Sequence, residues 1–252
     1  MSEFKQLLVH ATQIAERASE ITLSYFRQPL LIELKGDYSP VTIADKKTEE
    51  MIRKELERLF PSHNIVGEEF GKTNRSSDYV WTVDPIDGTL SFTRGIPLFG
   101  TLLGLLYKQE PVLGVMVLPA LSETYSAAKG LGAFCNSMPI RVSTTSTLDS
   151  AFISCGDYDC WKKAEKLTYW QALYQKCKIV RGYTDCFAHA LVIRGCLDAM
   201  IDPIVSLWDV VPIACLIREA GGEYFNLDGK QDVFSSSFAT CNPKLKPQLL
   251  NL

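Results

Sequence analysis

No stretch of this 252-residue sequence is apolar for long enough to cross a bilayer; even a strongly apolar run such as Leu98 to Tyr107 falls far short of the roughly 20 residues required. The chain also lacks a basic excess. Its formal net charge of -3 excludes the electrostatic footprint of a nucleic-acid binder, so neither a membrane nor a nucleic acid is expected as a partner. No C-x-x-C pair occurs, and the Cys155 to Cys160 spacing does not resemble a zinc knuckle. A chain of this size needs no disulfide staples, so the 8 cysteines are expected as buried, reduced thiols. Met1 to Gln6 leads into a polar-apolar mixture without the features of a secretory signal, and a cytoplasmic location is expected. Repeats and low-complexity tracts are absent. Of the three histidines, His10 and His63 read as surface residues and His189 as a helix-packing residue.

What remains is ordinary globular material. Hydrophobic residues make up 46% and charged residues 22% of the chain, enough for a substantial core in one large domain or two packed halves. Phe4, Leu7, Leu8, Ala11, Ile14, Ala15, Ala18, Ile21 and Tyr25 recur at helical steps, predicting a long helix that ends near Pro29. A second helix is predicted from about Thr42 to Phe60. The runs Phe99–Tyr107, Val112–Leu118 and Glu123–Ala127 predict an antiparallel meander, followed by a strand at Ile140–Val142. The Ser/Thr-rich segment from Ser143 to Ser150 is the candidate boundary between halves 1–143 and 144–252. Beyond it, strand-like Ala151–Ser154, Lys178–Arg181 and Ala199–Ile201 alternate with helix-like Tyr158–Tyr174, Phe187–Arg194 and Trp208–Ala220. The last helix is closed by Gly221-Gly222. An α+β first half and an α/β second half are the expectation.

Chemistry concentrates in Trp81 to Ser91, which reads WTVDPIDGTLS. Val80 to Val83 read as the end of a buried strand. Pro85 stops regular ladder pairing, and Gly88 permits a turn that most residues resist. Asp84 and Asp87 are thereby placed at a strand's C-terminal edge. On its own such a run is equally good turn chemistry. Glu68, in Gly67-Glu68-Glu69, fits a solvated loop. Asp209 fits a favourable charge in a helix's first turn, and Asp45, three residues after Thr42, fits a capping box with Asp in place of Glu. The set tips the balance, because Glu68, Asp84, Asp87 and Asp209 each lie at the end of an element. Hard cations such as Mg2+ want oxygen ligands and leave positions open for a phosphate. Two of them roughly 3.5–4 Å apart can hold both the attacking and the departing oxygen of one phosphoryl group. Backbone N–H groups from Gly88 onward, opening a helix near Leu90 and Ser91, can hold phosphate oxygens.

With these residues assembled, the chain resembles the inositol-monophosphatase-like family of Mg2+-dependent, lithium-sensitive phosphatases. The matching pieces are GEE at Gly67 to Glu69, WTVDPIDGT at Trp81 to Thr89, and WDVVPIACLIREAGG at Trp208 to Gly222. Their order and spacing match over nearly the whole chain. The resemblance implies a layered α-β-α-β-α sandwich of the sugar-phosphatase type, usually dimeric, with two or three Mg2+ per active site and inhibition by Li+. It implies that Glu68, Asp84 and the carbonyl of Ile86 bind a first metal, and that Asp84, Asp87 and Asp209 bind a second. Gly88 and Thr89 match phosphate-binding positions. Asp45 matches an acid that pairs with Thr89 to activate water, and Glu68 helps orient that water.

The substrate implied is a small phosphorylated metabolite. Gly182 to Phe187 resembles the G-D-C-Y element of the histidinol-phosphate phosphatase branch, and Ser91 to Thr101 resembles that branch's S-F-x-R-G-x-P loop. The inositol branch instead tends to carry a G-T-A-A-like element where Asp185 to Ala188 stand. Asp185 is thus expected to bind an amine or imidazole, Asp202 stands where relatives carry a substrate-contacting Glu, and Asp87 and Asp209 also line the substrate. Leu90 replaces a Lys common in the branch, and Leu207 sits where a Pro often does. Inositol monophosphatase, or a broader sugar-phosphate phosphatase, is the alternative among enzymes. A silent scaffold relative is the alternative of another class, and it would be marked by loss of a metal ligand, which this sequence does not show.

Overall fold

The computed structural model describes residues 3–36 and 39–252. Helix α1 (Glu3–Tyr25) is followed by a two-stranded hairpin of β1 (Glu33–Leu34) and β2 (Pro40–Val41), then by helix α2 (Ile43–Leu59). Strands β3 (Asn64–Gly67), β4 (Gly71–Lys72) and β5 (Tyr79–Asp87) precede the short helix α3 (Thr89–Thr93). The meander then runs through β6 (Gly100–Tyr107), β7 (Glu110–Leu118), β8 (Glu123–Ala128), β9 (Ala133–Cys135) and β10 (Met138–Pro139). These strands form one 8-stranded sheet in the order β10-β9-β8-β7-β6-β5-β3-β4. The second half supplies β11 (Phe152–Cys155), α4 (Tyr158–Lys163), α5 (Leu167–Lys176), β12 (Ile179–Arg181), α6 (Asp185–Ile193) and β13 (Ala199–Asp202). It finishes with α7 (Leu207–Glu219), β14 (Glu223–Phe225), β15 (Phe238–Cys241) and α8 (Lys246–Leu249). Its 5-stranded sheet has the order β12-β11-β13-β15-β14.

Alternation along the strands builds the layers. Trp81, Val83, Leu103, Leu105 and Val115 face Leu7, Ala11, Ile14, Ile52 and Leu56 of α1 and α2. On the opposite face Leu102, Leu106, Met116 and Tyr125 meet α6 and α7, whose other side covers Met200, Tyr224 and Phe238 of the second sheet. Ile153, Ile201, Phe225 and Ala239 point away from that layer, onto Trp161, Leu173 and Leu249 of α4, α5 and α8. The result is the α-β-α-β-α sandwich expected from the sequence.

Helix α7 lies unusually close to the first sheet because two paired glycines, Gly104 and Gly114, stand beneath it. A Cβ on Gly114 would sit 2.1 Å from the carbonyl oxygen of Pro212, and one on Gly104 would sit 2.8 Å from Val211 Cγ1. Only glycine fits there, and the contact sets how far the N-terminus of α7 reaches toward the end of β5.

Three local expectations need correction. Ile140–Val142 is not a strand: the hairpin ends at Pro139, and the chain then hangs on the end of α7 through Val142 N–H to the Ala220 carbonyl at 3.1 Å. The predicted helix over Tyr158–Tyr174 breaks into α4 and α5, because Glu165 takes a left-handed φ of 58° between them. His63 is no loose surface residue. Its ring stacks on Tyr79 at 4.4 Å and accepts a hydrogen bond from the Trp81 indole at 3.1 Å. All 8 cysteines are free thiols; Cys155, Cys177, Cys186, Cys215 and Cys241 are buried, Cys135 and Cys160 half-buried, and Cys196 exposed. Among the described residues no helix is long and apolar enough to cross a membrane.

Candidate active site

The C-terminal edge of β5 meets the N-termini of α2, α6 and α7, and nearly every acid singled out in the sequence lies there. In a regular strand Asp84 and Asp87, three apart, would point to opposite faces. The pairing of β5 with β6 shifts register between them, and the extra residue of such a bulge turns both acids to one side. Pro85 has no N–H to offer the ladder; its carbonyl is held by Thr101 Oγ1 at 2.9 Å, and Ile86 N–H donates to Asp84 Oδ1 at 3.0 Å. Asp209 arrives at the third position of α7, where its carboxylate accepts the Ser206 N–H at 2.8 Å in a capping box. Asp84, Asp87 and Asp209 bring carboxylate oxygens within 4.8 Å of one another.

Asp84 is buried and Asp87 and Asp209 partly so; three carboxylates at that separation repel, and their protonation reflects it. Burial, followed by the charge of Glu68 and then of Asp87 and Asp209, pushes Asp84 well above the ordinary range. Burial, with the charge of Asp209 behind it, raises Asp87 to about 7. Asp209 is also raised to about 7, chiefly by burial and then by Glu68, against the lowering hydrogen bond from Ser206. Hard oxygen donors, close spacing and unrelieved negative charge fit a divalent cation of the Mg2+ type.

Glu68 stands beside this triad, on a turn fixed from beneath. The buried Glu49 carboxylate, ion-paired to Arg53 at 2.7 Å, accepts the N–H groups of Glu69 at 2.7 Å and Phe70 at 3.2 Å. Glu49 fills the space a side chain at Gly67 would need, for Oε1 lies 2.0 Å from where that Cβ would be. The glycine of the GEE run is thus explained by close packing. Lys35 carries no local sequence signal; its ammonium bridges Glu68 and Glu69 at 2.7 Å each. Burial opposes its charge, yet hydrogen bonds and charge from both glutamates outweigh burial and raise its pKa.

Asp45 proves to be both things the sequence allowed. Its Oδ2 closes the α2 capping box through Thr42 N–H at 2.8 Å and Thr42 Oγ1 at 2.7 Å. Its Oδ1 lies 3.3 Å from Thr89 Oγ1, whose one proton can go either to that carboxylate or to the Ile86 carbonyl at 2.8 Å. Burial raises the Asp45 pKa, against the hydrogen bonds from Thr42. Gly88 opens α3 with φ 82°, a conformation that only glycine adopts readily. A Cβ there would lie 2.9 Å from the Leu98 carbonyl oxygen and 3.2 Å from Asp185 Oδ2. The first amides of α3, from Thr89 onward, have no partner within the helix.

A cavity opens beside Asp87 and Asp209, with a volume of about 100 Å3. Its lining also includes Asp157, Asp185, Asp202, His189 and Cys160, and the apolar Ile204, Val205 and Ile213 complete it. No lysine or arginine lines it among the described residues. Asp185 begins α6 with φ 58°, rare for a residue other than glycine. Its neighbour Cys186 donates its N–H to Asp87 Oδ2 in a very short hydrogen bond. Burial, then the charge of Asp87, lifts the Asp185 pKa to about 8. Asp202, at the end of β13, turns Oδ2 toward His189 and Oδ1 toward Gly156. The sequence-derived residues therefore converge, with Glu68 slightly apart from the tight triad. Lys35, Asp157, His189 and Glu49 were not foreseen as parts of the site, because nothing in their local sequence distinguishes them from surface or packing residues.

A profile of the inositol monophosphatase family matches residues 3–252 of the chain. The chain is 36% identical to a histidinol-phosphatase of Mycobacterium tuberculosis, an alignment covering 96% of this chain and 96% of that protein. In fold it is similar to the extragenic suppressor protein suhB from Bartonella henselae, with a TM-score of 0.91, 26% identity, and coverage of 98% of this chain and 97% of that one. It is also similar to an inositol monophosphatase from Anabaena, with a TM-score of 0.88, 29% identity, and coverage of 99% and 96%.

Proposed function

The chain belongs to the inositol monophosphatase family and is a phosphoric monoester hydrolase; from that premise we propose that it uses Mg2+ to hydrolyse a phosphomonoester whose alcohol portion is cationic, histidinol phosphate above others. The observation that carries this reading is the cavity wall. Beyond Asp87 and Asp209, the space for the alcohol portion is lined by Asp157, Asp185 and Asp202, with no lysine or arginine among the described residues. A neutral polyol would leave that negative charge uncompensated in a confined space, whereas an ammonium or imidazolium group supplies the missing counter-charge. The likeness to a protein named histidinol-phosphatase supports the same choice.

When bound at Asp84, Asp87, Asp209, Glu68 and the Ile86 carbonyl, Mg2+ supplies the positive field that receives a phosphoryl group and acidifies a water. The chain supplies the rest. Amides at Gly88 and Thr89 hold phosphoryl oxygens at the opening of α3. The Thr89 hydroxyl, 3.3 Å from Asp45, takes the proton of the attacking water and passes its own to Asp45 Oδ1, a carboxylate whose raised pKa makes it a better base than an exposed one. Glu68 orients the same water, with Glu49 holding the turn beneath it.

Comparing kcat/KM on histidinol phosphate and on inositol 1-phosphate, with Mg2+ as the metal present, tests the substrate. A preference of about tenfold or more for the amine ester is expected. An equal or reversed ratio would replace this reading with inositol phosphate or a broad sugar-phosphate phosphatase.

A further inference from the structure

Behind the cavity wall lies a buried chain of side chains from three elements. His189, on α6, is 3% exposed. Its Nδ1 lies 2.8 Å from Thr240 Oγ1 and its Nε2 lies 3.0 Å from Asp202 Oδ2. The pairing of β13 with β15 sets Asp202 opposite Phe238 and Met200 opposite Thr240. All four therefore share the sheet face turned toward α6. Phe238 packs against the imidazole at 5.6 Å, so the ring cannot swing without disturbing the core.

The geometry fixes the direction of the hydrogen bond to Asp202. Facing a carboxylate, Nε2 must carry the proton and donate it to Asp202 Oδ2. Nδ1 pairs with the Thr240 hydroxyl, so both ring nitrogens are engaged. One oxygen of Asp202 is consumed in this way. The other lies where a side chain at residue 156 would stand, 2.6 Å from the Cβ position of Gly156, and makes no hydrogen bond among the described residues. Both Gly156 and Asp202 line the cavity. Left to itself, a carboxylate can rotate both oxygens or turn into solvent. Tethered by His189 it presents a single acceptor in a fixed direction.

We propose that His189 is a positioning residue for substrate selection, one that uses its Nε2–H to hold Asp202 so that the remaining carboxylate oxygen receives an N–H of the substrate's cationic group. The inference rests on the cationic-substrate reading and deepens it, because discrimination between cationic and neutral esters then depends on a side chain whose N–H is spent on Asp202. Asp84 and Asp87 come from β5 and Thr89 from α3; α6 holds Asp87 through the Cys186 N–H in its first turn, a backbone contact that does not run through the His189 side chain.

Steady-state kinetics of the full-length Mg2+ enzyme test it, with histidinol phosphate as the cationic ester and inositol 1-phosphate as the neutral one. His189→Leu should raise KM for the cationic ester about tenfold, the scale set by a hydrogen bond to a charged group. Its kcat on either ester should stay within about threefold of wild type. His189→Gln, which keeps an N–H donor at similar reach, should recover most of the loss. Asp202→Asn should lose the same preference, and the double variant Asp202→Asn/His189→Leu should lose little more, since both act through one group. If His189→Leu fails to fold, the contrast between His189→Gln and Asp202→Asn carries the same comparison. Equal slowing of both esters in His189→Leu, or an unchanged KM for the cationic ester, overturns the tether while leaving the substrate reading intact. A wild-type enzyme without preference for the cationic ester overturns both.

Discussion

At the reacting end of the cavity, Asp84 and Asp87 come from one bulged strand and Asp209 from the first turn of α7. At the other end, Asp157, Asp185, Asp202 and His189 come from three places, the turn after β11, helix α6 and the end of β13, with Thr240 reaching in from β15. The first region is held by backbone devices, namely a bulge, two capping boxes and a glycine turn, which leave little freedom for the identity of the acids. The second is held by side chains packed on side chains. A reaction that must stay the same wants the first kind of support, while a preference that differs between related enzymes can be rebuilt through the second.

Breaking the reacting end should abolish turnover without regard to substrate. Asp84→Asn removes one of the three converging carboxylates, and a loss of about a thousandfold or more in kcat is expected on cationic and neutral esters alike. The fold should survive, since the substitution relieves a buried charge that its neighbours oppose. Circular dichroism and parallel assays on both esters check this. A loss confined to one ester would erase the division between the two regions.

The same end should also be sensitive to a residue far from any substrate. Gly114→Val places atoms where the Pro212 carbonyl already lies 2.1 Å from the Cβ position, so α7 must shift or the sheet must bend. A destabilisation of about 3 kcal/mol is expected in urea unfolding, with Asp209 carried away from the cluster and activity falling on both esters. A variant of wild-type stability would mean that the seat of α7 does not depend on bare backbone at this crossing.

Substitution at the far wall should separate the esters. Asp185→Asn keeps a residue type that tolerates the left-handed φ of 58° and removes only the charge. KM for the cationic ester should rise about tenfold. KM for a neutral ester should fall above pH about 8, where Asp185 is ionised and its Oδ2, 3.2 Å from the Cβ position of Gly88, repels an incoming phosphate. Opposite signs on the two substrates are the outcome to look for; a parallel shift would assign Asp185 to the reacting end instead.

Acidity offers a gentler probe of the same contrast. Asp87 and Asp209 are raised from 3.8 to about 7 in the folded chain, so the metal-free fold holds protons that the unfolded chain has released. Their contribution to stability is fully present below pH 3.8 and is lost as pH rises through about 7. The metal-free protein should melt at lower temperature at pH 8 than at pH 5.5. Mg2+ should raise the melting temperature more at pH 8, where the carboxylates are ionised and free to bind it. A Mg2+ shift that is equal or larger at pH 5.5 would contradict the cluster's role as a cation site.

How much of this was legible in the sequence follows the same division. Asp84, Asp87, Gly88 and Thr89 are contiguous, and the turn chemistry of proline and glycine made their geometry readable. The helices of the first half and the meander were readable from periodicity. The break at Glu165 was not, because Tyr158–Tyr174 keeps a helical pattern of aromatics on both sides of one left-handed residue. Asp45 fitted a capping box and Asp209 a favourable charge in a first turn, so their place in the site was legible only from the set of acids and the family resemblance, not from either local sequence. His189 carried no signal at all: a histidine in an apolar helix reads as packing until Asp202 and Thr240 are brought to its two nitrogens by strand pairing.

Lys35 supplies the smallest and sharpest test, since its cation already sits on Glu68 at the reacting end. Its ammonium holds Glu68 and Glu69 at 2.7 Å each, so a Mg2+ ion drawing on Glu68 must compete with it for the same oxygen. Half-exposed ion pairs contribute little, about 1 kcal/mol or less, and the competition should be correspondingly mild. Lys35→Met removes the charge and keeps most of the stem. The Mg2+ concentration giving half-maximal binding in calorimetry should fall about threefold, with the two esters still discriminated as in the wild type. A weaker affinity for Mg2+ in this variant would show that Lys35 holds the Glu68 turn in place for the metal, in which case the reacting end is, at this one corner, also built from side chain on side chain.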